Sequence, residues 1–399
     1  MELVYKLVIF IIWQVQTIQM ASFTDVQTLY THLTTGRDKY FRPQSDYDQV
    51  TDVTISFTLF NLQDINAVEG TISIAGYFTA FWKDENLVWT PGDYNNIELM
   101  TLPHDQIWKP PLINSNSANE MKVLVQENTF VQLYYNGSVM WLPGQTLKFI
   151  CDIDTTYFPF DIQECQFLII SWGFPMDKIT FTSMDKTINT ASFRINSEWD
   201  LTETSVSVDN SQTPTVKYTM IFKRRPLFLL TTFMLPTVFM ALLNIFVFCL
   251  PQESGERIGF VVTFLLAVVV FMTIAKSLLP ATAMPRLSAI YIILMISFLT
   301  SAMIIVSVIV SAWFYYKTED ESIPVWIQRI VQCNIPKCKR TSSKRVGVQY
   351  KKNKTQENSQ NEMKWHDVAR FWDRLSFFFY FLCFIGGNSF FVFDVIQWI

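Results

Sequence analysis

Cys151-Asp152-Ile153-Asp154-Thr155-Thr156-Tyr157-Phe158-Pro159-Phe160-Asp161-Ile162-Gln163-Glu164-Cys165 is the stretch on which the fold turns. Its two cysteines stand alone in the first, strand-rich half of the chain. Secreted domains keep cysteines mainly as disulfides, so a bridge competes here with a pair of free thiols. The tip is apolar, and Pro159 stiffens it because the pyrrolidine ring fixes φ. Closed by a bond, such a stretch is a rigid finger able to press on a neighbouring element.

Outward from this stretch, composition narrows the class. Of 399 residues half are hydrophobic and 35 are Phe, too apolar for an ordinary soluble enzyme. The net charge of −4 points to no partner, and no basic cluster interleaved with aromatics suggests nucleic acid. Cys249 and Cys383 lie in apolar spans, and Cys333 and Cys338 in a basic segment, a division that fits an oxidising outside and a reducing inside. At the start, Lys6 precedes an apolar run from Leu7 to Val15, with small residues at Ala21 and Ser22, so residues 1–21 read as a signal peptide. Asn136-Gly137-Ser138 reads either as a glycosylation acceptor or as an unmodified hairpin turn.

Residues 22–225 read as one extracellular domain. Period-two alternation over Val53 to Phe60, Thr71 to Trp82 and Val216 to Phe222 predicts strands, separated by turn clusters such as Thr90-Pro91-Gly92-Asp93 and Leu142-Pro143-Gly144. The spacing fits a β-sandwich, preceded by a short helix over Thr24 to Thr34. After Arg225 come four apolar stretches: Leu227 to Leu250, Ile258 to Leu279, Ile290 to Tyr316 and Ser376 to Ile399. At about 1.5 Å per residue each spans a hydrocarbon core of about 30 Å. The first three fall in 226–316 and the last in 371–399. Between them 317–370 is polar and rich in Lys and Arg, which sets it in the cytosol and both chain ends outside. Within it Pro324 to Ile330 reads as an amphipathic helix on the membrane surface, Arg340 to Asn361 as disordered, and Trp365 to Arg374 as a helix running into the last span. Cys333 and Cys338 are open to zinc binding, palmitoylation or plain thiol chemistry, and no metal site is expected without a partner Cys or His.

Gly259, Thr263, Leu266, Val270 and Ile274 recur every three to four positions in the second span and form one helical stripe. Periodicity alone leaves two readings, a channel lining or a helix contact.

With thirteen residues between its cysteines and Phe158-Pro159-Phe160-Asp161 near the middle, the opening stretch resembles the signature loop of the Cys-loop receptors, the pentameric ligand-gated ion channels. Gly255-Glu256-Arg257-Ile258 and Leu279-Pro280-Ala281-Thr282 look like the two ends of the pore helix in the nicotinic and serotonin branch. The resemblance implies a Cys151–Cys165 disulfide, a selectivity ring of Glu256 carboxylates, a hydrophobic gate at Leu266, and an agonist site between subunits. Trp172 matches the principal-face tryptophan and Tyr77 the complementary aromatic; Trp141 joins them as a ligand candidate, and Ser115 stands where agonist-binding nicotinic subunits carry tyrosine. Two further departures stand out. Lys276 sits at the outer mouth where acids are usual, and Thr202 to Thr215 holds neither an aromatic nor a cysteine pair, so it cannot complete a cation box. For coupling, the resemblance pairs Arg224 or Arg225 with Asp161 and presses Phe158, Pro159 and Phe160 onto the loop from Pro280 to Pro285.

The expectation is therefore a mixed membrane protein: an extracellular immunoglobulin-like β-sandwich, then a four-helix transmembrane bundle, five subunits around an axis. It would be a cation channel in the plasma membrane, opened by an extracellular small molecule and passing sodium and potassium, with calcium left open. Its partners would be four identical or homologous subunits, agonist, cations and lipid. An accessory subunit needing a partner, or a non-conducting ligand-binding surface component, are the alternatives. No cofactor is implied. No clustered His, Cys and carboxylate and no phosphate-cradling loop points to an enzyme.

Overall fold

A computed structural model describes residues 21–124, 129–280, 287–318, 321–334 and 363–398. Residues 1–20 of the expected signal peptide, the Pro280–Pro285 loop beyond Pro280 itself, Cys338, and the segment Arg340 to Asn361 lie outside these residues. The chain divides into two compact units, Met1–Ile153 with Ile162–Arg224, and Asp154–Asp161 with Arg225–Ile399.

The first unit is a β-sandwich preceded by helix α1 (Phe23–Thr34). Ser22 starts α1 because its backbone N–H donates to Asp25 Oδ2 at 2.8 Å while its hydroxyl accepts from the backbone of Thr24. This reciprocal cap leaves Leu29 and Leu33, one turn apart, to bury against the sheet. One sheet runs in the order β3 (Leu99–Pro103), β5 (Phe130–Tyr134), β6 (Asn136–Trp141), β2 (Thr71–Val88), β1 (Thr51–Asn66), β9 (Ile179–Ser183), with β7 (Gly144–Ile150) also on β2. The other runs β10 (Trp199–Asp209), β11 (Thr215–Arg224), β8 (Ile162–Ser171), β4 (Leu112–Asn114).

Alternation dictates which side chains meet between the sheets. Phe57 and Phe78 from the first sheet and Phe167 and Tyr218 from the second are all at most 1% exposed. Phe167 stacks on Tyr218 at 4.7 Å between ring centres, and Phe57 meets Phe167 edge-on at 5.2 Å. Phe57 crowds β2 so closely that a Cβ on Gly76 would lie 2.6 Å from its ring and 2.3 Å from the Thr58 carbonyl. Only glycine fits there. The Cys151–Cys165 disulfide, with 5.3 Å between Cα atoms, joins the end of β7 to β8 and so links the two sheets.

The second unit is helical: α2 (Leu227–Cys249), α3 (Arg257–Leu278), α4 (Ala289–Tyr315), α5 (Val325–Asn334) and α6 (Trp365–Trp398). Among the described residues α2, α3 and α4 are long and apolar enough to cross a bilayer. In α2 the turn Leu230–Met234 widens to π geometry just before Pro236. Proline offers no N–H to Thr232 and its ring crowds that carbonyl, which a wider turn relieves. The packed centre has two ends. Ile245, Val247, Phe248, Val261, Ile304, Val308 and Tyr380 form one, and Phe233, Ala275, Leu279, Ile290 and Leu294 form the other.

Candidate functional site

The tip of the disulfide ring belongs to the helical unit. Phe158 is 3% exposed and completes the cluster of Phe233, Ala275, Leu279, Ile290 and Leu294. Pro159, joined to it by a cis peptide, is buried, Phe160 is half-buried, and Asp161 is 2% exposed. Beside them, the first N–H of α4, on Ala289, donates to the Thr156 carbonyl at 2.9 Å. Leu279 caps the C-terminal end of α3 and belongs to the Phe158 cluster, so the ring tip packs on the last turn of that helix. In the β unit, Arg224 lies over Trp199, 4.1 Å from guanidinium carbon to ring centre; Arg225 opens the helical unit.

Helix α3 has two unlike faces. Arg257, Val261, Phe264, Val268 and Ala275 are buried, whereas Gly259, Thr263, Leu266, Val270 and Ile274 are exposed. Leu266, at mid-helix, is 64% exposed despite being apolar. Thr263 donates its hydroxyl back to the Phe260 carbonyl at 2.7 Å. Glu256, just before α3, is exposed, and so is Lys276 in its last turn. Arg257, next to Glu256, is 5% exposed and grips Asp373 of α6 with 3.0 Å to each carboxylate oxygen.

The candidate ligand residues fall on different elements. Trp172 comes directly after β8, is 55% exposed, and donates its backbone N–H to the Pro111 carbonyl at 2.9 Å. Ser115 comes directly after β4 and binds the Leu168 carbonyl through its backbone N–H at 2.9 Å, so these two share the β4–β8 edge. Tyr77 stands on β2 in the other sheet, its ring 5.3 Å from Phe60. Within one chain, then, Tyr77 and Trp172 belong to opposite sheets. Trp141 is fully buried, and the Lys109 ammonium lies 5.4 Å from its ring centre. Lys109 also donates to His104 Nδ1. Burial lowers the pKa of both groups, and the Lys109 charge lowers that of His104 further. The Trp141 face thus already carries a cation from its own chain. Asn136 is exposed, and its Oδ1 accepts from the Ser138 N–H at 3.0 Å across Gly137, whose φ is +82°.

Two features have no clear trace in the sequence. Asn210, at the tip of the β10–β11 hairpin, donates from Nδ2 to the Phe181 carbonyl at 2.9 Å and accepts the Phe181 N–H at 3.1 Å. This pins the hairpin to β9. An asparagine next to a turn was the available signal, but it reads equally as turn chemistry. Asp373 gave none, standing 116 residues from Arg257.

Comparison with known proteins gives two family matches. Residues 26–226 match the neurotransmitter-gated ion-channel ligand binding domain, and residues 233–363 the neurotransmitter-gated ion-channel transmembrane region. The chain is 27% identical over 321 residues to the neuronal acetylcholine receptor subunit alpha-4 of Mus musculus, covering 78% of this chain and 50% of the relative. It is 26% identical over 329 residues to the alpha-2 subunit of the same organism, covering 80% and 64%. It is 28% identical over 320 residues to the 5-hydroxytryptamine receptor 3A of Mus musculus, covering 76% and 64%. The chain thus spans between half and about two thirds of the length of these relatives.

Proposed function

The chain belongs to the family of neurotransmitter-gated ion channels, and on that premise we propose that it is one subunit of a cation-selective channel opened by a small extracellular ligand. Five subunits, identical or homologous, surround the pore in the plasma membrane, with the β unit outside and α6 serving as a fourth span beside α2, α3 and α4. The limits that go with this reading are an extracellular domain over 22–225, three spans within 226–316, a cytosolic segment over 317–370 and the last span over 371–399.

The observation that carries the reading is the exposed face of α3. Gly259, Thr263, Leu266, Val270 and Ile274 occupy it, and Glu256 stands exposed at its start. Five such carboxylates at a narrow mouth attract cations and repel anions, and a ring of five Leu266 side chains can dewet the closed pore. The placing of Tyr77 and Trp172 on opposite sheets suits a ligand held between subunits, one chain offering Trp172 and Ser115 and its neighbour Tyr77. Opening then shifts a closed–open equilibrium through Phe158 and the Thr156–Ala289 bond.

A second reading, an accessory subunit that conducts only beside a partner, draws on the β10–β11 hairpin. Thr202 to Thr215 brings no aromatic wall to the exposed face of Trp172. Two-electrode voltage clamp on cells expressing this chain alone, with amines, amino acids, metals and pH steps, separates the two. Currents whose reversal tracks sodium and potassium, and whose selectivity weakens in Glu256→Ala, support the self-sufficient channel. Surface protein silent to the whole panel, with current restored by a second subunit, supports the accessory role.

A further inference from the structure

Adjacent residues on a helix point about 100° apart, so Glu256 and Arg257 need not face the same space. Glu256 is exposed; Arg257 is 5% exposed, and every group it touches is provided by a different segment. Its Nε donates to the Leu250 carbonyl at 2.7 Å, and Nη2 donates to the same oxygen. Nη1 lies 3.0 Å from both oxygens of Asp373, itself 7% exposed. Ser311 of α4 donates to Asp373 Oδ1 at 2.5 Å, and Gln252, in the α2–α3 linker, donates to Ser311 Oγ at 2.6 Å. Four pieces of chain therefore meet around one guanidinium–carboxylate pair: the end of α2 with its linker, the start of α3, α4 through Ser311, and α6.

We infer that Asp373 is a positioning residue for ion selectivity: it holds the Arg257 guanidinium among the helices and so leaves the Glu256 carboxylate as the uncancelled charge at the inner mouth. Arginine cannot shed its proton in a protein. A buried lysine stripped of its partner could turn neutral and stay; a buried guanidinium must find water or another anion. Without Asp373 the guanidinium swings out beside Glu256, where each subunit then contributes one positive and one negative charge. The ring of five carboxylates loses its net charge and with it the preference for cations. Asp373 does this without approaching a permeant ion.

This inference rests on the cation-channel reading, and its test keeps the two apart. Bi-ionic reversal potentials are measured for wild type, Asp373→Asn, and Asp373→Asn combined with Arg257→Gln. Asp373→Asn moves the reversal potential toward that of chloride, and adding Arg257→Gln moves it back, because the cation that spoiled the mouth is gone. A purely structural role lowers surface protein in both variants and gives no recovery of selectivity in the second. If Asp373→Asn does not reach the surface, Ser311→Ala, which removes one hydrogen bond to the same carboxylate, shifts reversal in the same direction by less. A second readout needs no current: Glu256→Cys is modified in inside-out membranes with cationic and anionic thiol reagents, against the same chain without that cysteine. Asp373→Asn raises the anionic rate relative to the cationic one. Unchanged relative rates together with unchanged selectivity in Asp373→Asn overturn the inference, whereas a wild-type chain that passes anions overturns the channel reading while the thiol rates still decide the role of Asp373.

Discussion

The N–H of Ala289 donates to the carbonyl of Thr156 at 2.9 Å, so the tip of the disulfide ring supplies a cap to helix α4. The first N–H groups of a helix have no partner within it. Here one of them is satisfied by a residue 133 positions earlier, in the element that the Cys151–Cys165 bridge ties to the β unit. The Phe158 cluster adds a second, apolar contact between the ring tip and α3 and α4.

Ala289→Pro deletes that bond alone. Position 289 is the first helical residue after the cap Ser288, whose extended backbone (φ −56°, ψ 135°) suits a residue preceding proline. The helix survives, and one hydrogen bond, worth about 1 kcal/mol, is lost from the coupling. Agonist concentration–response curves on surface-matched cells are expected to shift about five-fold, and superimposable curves would show that the bond carries no coupling.

Phe158 fills a site walled by Phe233, Ala275, Leu279, Ile290 and Leu294. Truncation to alanine leaves a cavity costing about 3–5 kcal/mol, while leucine keeps most of the volume. The apparent melting temperature of the purified protein should fall sharply for Phe158→Ala and much less for Phe158→Leu. Equal losses would mean that the site does not need filling.

Asn210 replaces a stretch of strand pairing with its own side chain, bonding both backbone groups of Phe181. Asn210→Ala frees the β10–β11 hairpin, which must then be ordered when ligand binds. Losing two hydrogen bonds of about 1 kcal/mol each predicts a fall in agonist potency of about ten-fold or more. Radioligand or current titrations with wild-type potency would refute this.

Asp84 lies in a cavity of about 270 Å³ lined also by Leu33, Arg37, Phe41 and Trp108. Burial pushes its carboxyl up to about 6, against the Asn86 N–H at 3.0 Å and the Arg37 charge, which both pull it down. Between about pH 4 and 6 the folded state therefore holds more protons than the unfolded chain, and stability falls as pH rises through that window. Asp84→Asn removes this contribution while retaining the acceptor for Asn86. Melting curves should show a flatter pH dependence below about pH 6 and a higher transition near pH 7.5 than wild type. A variant less stable than wild type at both ends would sink the assignment.

The strands, the spans and the ring were legible because each is written in nearby residues. Alternation over Thr71 to Trp82 demands a half-buried strand, and β2 runs Thr71–Val88. Apolar runs of this length demand helices wherever lipid surrounds them, since unpaired backbone groups are costly there. Three of the four runs after Arg225 are α2, α3 and α4, whereas the fourth, Ser376 to Ile399, falls in α6, which is not among the described helices long and apolar enough to cross a bilayer. The stripe from Gly259 to Ile274 was visible, although which side of α3 would be packed was not; Val261, Phe264 and Val268 decide it by filling the space between helices.

Nearby residues alone therefore fix the family, the strand-rich and helical halves, the helices α2, α3 and α4, and the residue types offered to each face. The tertiary structure alone decided which distant groups meet: Thr156 with Ala289, Asn210 with Phe181, Arg257 with Asp373, and the Lys109 cation over Trp141. Periodicity records where a side chain points relative to its neighbours in the chain. A buried charge or an uncapped helix end gains its partner only when separate elements pack, and the cost of leaving it unpaired selects that partner from across the fold.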